Sequence, residues 1–341
     1  MTRRSLRPES ISRSGSLKTF WRDIVVFLLL LTVACSTQIS VAPVTTRPTL
    51  SHSSATTSSS LPPETTPSTT WFKTPTTETA STPITTTSQP YQGWWDPKEV
   101  QTAWGSVVEG LLTFRGSPTR SWYGRGPVPL MPEVLWRFPK EGNLCSLSTT
   151  GGRTTNWCGI GWTGQPAVWQ MGSDTWLAVG AYDRGIHFLD SSTGLPAKKP
   201  FITGDIVKGS LTVDPDGFPL IYSGSRDGHL RILAFDRADH LTELWSLAGD
   251  QVDPVMWNDD WDAAPLILHD HLITGGENSW LHIVRLNRSI DGSGLVTVDP
   301  QIIFQTPGWD DDLLAVLGDN NVSIENSVAV SGNTAWFANS G

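Results

Sequence analysis

The chain has 341 residues, with 33 acidic and 24 basic side chains and a formal net charge of -9 at pH 7. The acidic excess lies after Gln92, which argues against nucleic acid, whose binding needs a basic footprint, and against docking on anionic lipid heads. The length admits two domains, but the first ninety or so residues lack the composition of one.

Residues 1–35 hold a basic segment (Arg3, Arg4, Arg7, Arg13, Lys18, Arg22), an apolar run IVVFLLLLTVA from Ile24 to Ala34, and then Cys35. That is the order of a secretory signal. The run falls short of the ~20 residues that cross a bilayer as a helix. The stretch TVAC, Thr32 to Cys35, resembles a bacterial lipobox with Thr32 where Leu is typical. The resemblance implies lipidation of the Cys35 thiol and a membrane lipoprotein facing the extracytoplasmic side. The alternative is cleavage after Ala34, which leaves Cys35 as a free thiol.

If Cys35 carries lipid, Cys145 and Cys158 remain as an even pair in an exported chain, and a disulfide between them is expected. Residues 36–91 are almost all Ser, Thr and Pro and hold too little apolar surface to offset chain entropy, so they read as a disordered tether.

The folded part is expected over 92–341. Its start, DPKEVQTAWGSVVEGLLTF, has an Asp-Pro, early acids and apolar residues three and four apart, which predicts a helix over about 96–114. Thereafter the period is two. Short apolar runs recur between Gly, Asp and Asn turns: VLWRF, TWLAVGA, GIHFLD, FPLIYSGS, HLRILAF, LTELWSL, APLILHD, LITGGE, LHIVRLN, QIIFQT, NSVAVSG and TAWFANS. This is an all-β pattern of sandwich, barrel or propeller type.

A repeat decides among these. Three segments give strand, tight polar turn, strand and polar loop, with Gly180, Gly224 and Gly275 at matching places. A period of roughly 40 to 50 residues with about four strands per unit is that of propeller blades. Nearly complete units fall at 164–204, 209–250 and 262–305, followed by a half unit, NSVAVSGNTAWFANSG. The expected fold is thus a β-propeller of four-stranded blades, incomplete at its carboxyl end, from a chain that is a fragment of a longer product. VLWRF is expected to be the strand that would close the ring.

The turn LDSSTG, Leu189 to Gly194, resembles the D-x-x-T-G turn of pyrroloquinoline quinone (PQQ)-type propeller repeats. TFRGSPTRSWYGRGP, Thr113 to Pro127, is similar to the entry segment of such proteins, and the similarity runs from about Leu112 to the last residue. The other turns, DRADH and DGSG, depart from the pattern.

The candidate chemistry lies in two acidic connections. WNDDWD carries Asp259, Asp260 and Asp262; GWDDDLL carries Asp310, Asp311 and Asp312. If both emerge at one mouth of the propeller, their oxygens suit Ca2+, which takes six to eight such ligands. The competing reading is a packed and solvated rim loop. Trp257, Trp261 and Trp309 either wedge these loops on the propeller face or stack a carbohydrate or quinone. Arg115 and Arg120 either bind an anion or pair with acids to fix the entry segment. His269-Asp270-His271 reads as a hairpin turn.

The resemblance implies PQQ held with Ca2+, a vicinal disulfide and a catalytic Asp. The sequence has no adjacent cysteines and no C-x-x-C-H, and no catalytic residue can be assigned. Two main functions stand open, beside that of a structural cell-surface module in which Ca2+ only stiffens the loops. One is an exported, membrane-tethered propeller that binds an envelope protein or small-molecule ligand without catalysis. The other is a PQQ- and Ca2+-dependent envelope dehydrogenase of alcohols or sugars.

Overall fold

Strands buried on both faces cannot alternate polar with apolar, and those that line a solvated edge must. The computed structural model, which describes residues 98–100, 102, 104, 107–122 and 129–341, shows this contrast blade by blade. The signal, Cys35 and the Ser/Thr/Pro tether fall outside the described residues.

In chain order, β1 (Gly110–Leu111) is followed by a 3-10 turn, Phe114–Gly116, and by a hairpin of β2 (Cys145–Thr150) and β3 (Arg153–Cys158). The first blade comprises β4 (Ala167–Met171), β5 (Asp174–Gly180), β6 (Gly185–Asp190) and β7 (Pro196–Ile202), with β1 added beside β4. The second comprises β8 (Thr212–Val213), β9 (Leu220–Gly224), β10 (His229–Ala234) and β11 (Thr242–Ala248). The third comprises β12 (Leu266–Leu268), β13 (His271–Gly275), β14 (Trp280–Arg285) and, after a small hairpin of β15 (Ser289–Ile290) and β16 (Val296–Thr297), β17 (Gln301–Pro307). Helix α1 (Asp311–Leu317) then leads to the half blade, β18 (Ala329–Ser331) and β19 (Thr334–Trp336). All pairings within these sheets are antiparallel.

The middle strands β6, β9, β10 and β13 are buried along nearly their whole length, as blade-to-blade packing demands. The outer strands β7 and β17 are mostly exposed. One apolar core, including Phe188, Leu220, Ile232, Trp261 and Val284, runs through all three blades.

The matched glycines lie where blades meet. A Cβ on Gly180 would strike Val207, one on Gly224 would strike Trp261 and one on Gly275 would strike Ile324, each of which leads into the next blade. The repeat therefore conserves a close approach. The D-x-x-T-G turn is also built as expected: Asp190 Oδ1 accepts from the Ser192 and Thr193 amides, and Gly194 takes φ 68°.

Three expectations are corrected. No helix forms in the described part of 96–114: residues 98–100 are a turn and Gly110–Leu111 pairs with Val168 and Trp169. Leu112, next in line, accepts a hydrogen bond from Val213, so the segment is held between two blades by strand bonds that a helix would forgo. VLWRF is not a strand; it has no ladder partner, and Val134 and Leu135 are exposed while the Trp136 indole donates to Ser191 O. The stretch after Trp309 is not a loop throughout, because Asp310 caps α1 by accepting from the Leu313 amide.

Arg120 is buried where the entry segment meets the lead-ins to the third blade and the half blade. Its guanidinium donates to Thr113 Oγ1 and Phe114 O in the entry segment, to Ala264 O ahead of the third blade and to Val328 O ahead of the half blade. It has no carboxylate partner among the described residues, which corrects the expected pairing with acids. Burial lowers its pKa to about 9.

Candidate functional site

Equivalent turns of the three blades place Tyr182 after β5, Arg226 after β9 and Glu277 after β13 on one face. The lead-in loops add Lys208 ahead of β8, and Asp260 and Asp262 ahead of β12. Asp260, Asp262 and Glu277 can each offer an oxygen such that all three lie within 4.8 Å of one another. Lys208 Nζ is 2.5 Å from Asp262, 3.1 Å from Glu277 and 3.6 Å from Asp260. Arg226 Nε donates to Asp260 at 2.9 Å, and Asn258 Nδ2 donates to the second Glu277 oxygen at 3.0 Å.

Asp260 and Asp262 are both 2% exposed, so the second half of WNDDWD is packed rather than solvated, while Trp257 at its start stays exposed. Three carboxylates face two cations, and the surplus negative charge has a consequence. Burial first, then the neighbouring Glu277, pushes the Asp260 carboxyl up to about 7 against the pull of Lys208 and Arg226. Burial likewise raises Asp262, with Lys208 opposing and Glu277 adding to the rise. Lys208 would be lowered by burial but is held above its ordinary value by Asp262 and Glu277, and it stays charged.

The β2–β3 hairpin covers this network. Cys145 and Cys158 are bonded at its base. Ser146 donates to Tyr182 O at 2.5 Å, Arg226 donates to Ser148 Oγ at 3.3 Å, and the Arg226 guanidinium lies 5.5 Å from the Trp157 ring. Trp157 also meets Tyr182 edge-on at 5.6 Å.

The fit of Ca2+ and PQQ can be tested on these atoms. Asp262 Oδ1 is buried without a hydrogen-bond partner, as a cation ligand would be. The centre of the triad, however, is taken by the Lys208 ammonium. An ion at the usual 2.3–2.6 Å from the same oxygens would stand against that like charge, so the triad as built does not fit Ca2+. No quinone chemistry is derived from it.

The other sequence candidates are dispersed. Asp259 is half-buried against Gly228 and Gly249, outside the triad. Asp310, Asp311 and Asp312 are exposed at the start of α1 and do not join it. Trp261 is a buried wedge whose Nε1 donates to Gly228 O; Trp257 is 51% exposed; Trp309 is half-buried with its Nε1 unpartnered. Arg115 is exposed, with φ 54° and its amide on Gln165 Oε1. His269-Asp270-His271 forms the β12–β13 turn, and Asp270 takes Arg288 at 2.8 Å. Lys208, Glu277, Arg226 and Tyr182 were not singled out from sequence. The available signal was register: each turn residue stands two places after its blade's matched glycine.

No protein-family model and no curated protein matches the chain. Among solved structures it is similar to BamB from Moraxella catarrhalis at 13% identity, over 52% of this chain and 55% of that one, with a TM-score of 0.31. It is similar to quinohemoprotein alcohol dehydrogenase from Comamonas testosteroni at 14% identity, over 53% of this chain and 30% of that one, with a TM-score of 0.36. The RRP9 WD40 repeats are similar at 12% identity, over 48% of this chain and 57% of that one, with a TM-score of 0.24. The chain covers less than two thirds of each of these structures. The four-stranded blades themselves, rather than these likenesses, carry the propeller assignment.

Proposed function

We propose that the protein is an exported propeller, tethered through a lipid on Cys35, that binds an envelope protein or small-molecule ligand and performs no catalysis. The observation that carries this reading is the Lys208 ammonium at the centre of Asp260, Asp262 and Glu277. The one carboxylate triad found among the described residues is thereby used to join blades. The contact face is the rim around the network, where Trp257 and, on the disulfide hairpin, Leu147 stand exposed. The Cys145–Cys158 bond supports export, since disulfides persist in oxidising compartments.

Calorimetric titration of Ca2+ into the exported domain, and into an Asp260→Asn/Asp262→Asn variant, tests the reading. No binding heat in either is expected, together with photocrosslinking of a discrete partner from position 257 in cells grown without PQQ. Stoichiometric Ca2+ binding that the variant loses, with dye reduction by an alcohol or sugar after PQQ reconstitution, would replace it with the dehydrogenase reading. Incorporation of labelled fatty acid, abolished by Cys35→Ala, checks the anchor.

A further inference from the structure

A cavity of about 460 Å³ whose lining shares no residue with the ion network opens between the loop ahead of the first blade and the half blade. One wall carries Trp162, which is 76% exposed. An indole that is left in water by a loose loop needs no explanation, but this loop is pinned at both ends. Gly159 O accepts from the Tyr182 amide, Gly164 N donates to Gly161 O, and Thr163 Oγ1 and the Gln165 amide bond to Lys208 O and Ser210 Oγ of the second blade. Gly161 lies so close to the Lys208 carbonyl that no side chain would fit there. The indole is therefore held out over the cavity by a fixed turn.

The rest of the lining brings Glu325 and Asn326 together with Arg115, Arg120 and several hydroxyls. Glu325 accepts from Ser323 Oγ through one carboxylate oxygen, and Asn326 donates to Ala338 O through its amide nitrogen. This leaves the other Glu325 oxygen and the Asn326 oxygen as acceptors, with Ser340 and Arg115 beside them in the lining. The volume lies within the ~300–1,000 Å³ of small-molecule sites, which combine apolar surface with a few placed polar groups.

We propose that this cavity binds a neutral carbohydrate, one pyranose ring stacked on Trp162 and its hydroxyls donating to Glu325 and Asn326. The chemistry selects this class. A flat apolar face opposite acceptor oxygens matches a sugar ring, which has C–H groups on its faces and O–H donors around its edge. Arg115 offsets the Glu325 charge and the Arg120 guanidinium is already engaged by Thr113, Phe114, Ala264 and Val328, so the lining presents no net cationic seat for a phosphorylated or carboxylated ligand; a purely apolar one would leave the Glu325 carboxylate desolvated and unpaired. The inference goes beyond the proposed function, because the cavity lining includes neither Trp257 nor any residue of the disulfide hairpin.

The test is titration calorimetry of the exported domain with tri-N-acetylchitotriose, cellotriose and maltotriose. Binding of at least one trisaccharide is expected, weakened roughly tenfold or more by Trp162→Ala and by Glu325→Gln with Asn326→Ala, and retained by Trp162→Phe. Because Trp162 is exposed, its variants should melt with the wild type, and binding is compared only among variants that do. No heat with any of the three sugars, or binding that Trp162→Ala leaves unchanged, would overturn the proposal.

Discussion

Lys208 Nζ stands 2.5 Å from an Asp262 carboxylate oxygen, a contact between the loop that opens the second blade and the loop that opens the third. Both side chains are buried, so the pair is worth most when broken on one side. Lys208→Met leaves Asp260, Asp262 and Glu277 with Arg226 alone and should cost about 3–5 kcal/mol in urea unfolding. Adding Asp262→Asn to that variant should recover part of the loss; equal midpoints for wild type and Lys208→Met would show that the network does not hold the blades.

The surplus carboxylate gives the stability a pH dependence of defined sign. Asp260 is held at about 7 when folded and, with the ordinary value of about 3.9, near 4 when unfolded. The native state thus keeps a proton that the unfolded chain releases. Its contribution is complete below about pH 4 and is lost as pH rises through about 7, by roughly 2–4 kcal/mol. Asp183 and Asp227, whose folded values are lowered, act oppositely, but only as pH falls below the ordinary carboxylate range. Buried His282, lowered to about 4, gains stability as pH rises toward its ordinary 6.5 and opposes this, so the prediction is a difference: the wild-type thermal midpoint, relative to that of Asp260→Asn, should fall as pH rises from 5 to 8.

Opening the hairpin is expected to be a local event. Cys145 and Cys158 are 13 residues apart, and a loop of that order is worth ~3 kcal/mol of unfolded-chain entropy. With both changed to Ser, hydrogen exchange at 146–157 should quicken while β9 and β10 keep their protection. Protection lost everywhere at once would mean that the hairpin is part of the cooperative core.

Gly224 tests the blade contact. Gly224→Ala drives a Cβ into the Trp261 Cβ and carbonyl, neither of which can rotate away, and should cost ~1–3 kcal/mol or more. Gly292→Ala, where nothing lies within 4 Å, serves as the control and should melt within a degree or two of wild type, a ΔΔG of ~0.5 kcal/mol or less.

The blades were legible because their strands are apolar runs between turn residues and the matched glycines recur at a propeller period. VLWRF has the same composition yet lies along the surface, because an apolar run becomes a strand only where a neighbour offers a free edge. The predicted entry helix failed for the converse reason: Leu111 and Leu112 satisfied a helical period, and two open strand edges competed for the same backbone. For the site, the acids of WNDDWD were visible as a cluster in sequence. Lys208 and Glu277, which give those acids their meaning, come from elsewhere in the chain and meet them only through the packing of blades.

Arg120 has a temporal meaning as well as a spatial one. Its bond to the Val328 carbonyl joins positions 208 residues apart. The Ala264 carbonyl does not exist until two blades have been synthesised, nor the Val328 carbonyl until three have. A vectorially emerging chain must therefore carry this guanidinium hydrated, with its own turn waiting, until the last acceptor arrives. The entry segment can pair with the first two blades as they form, but its last side-chain bond waits for the half blade.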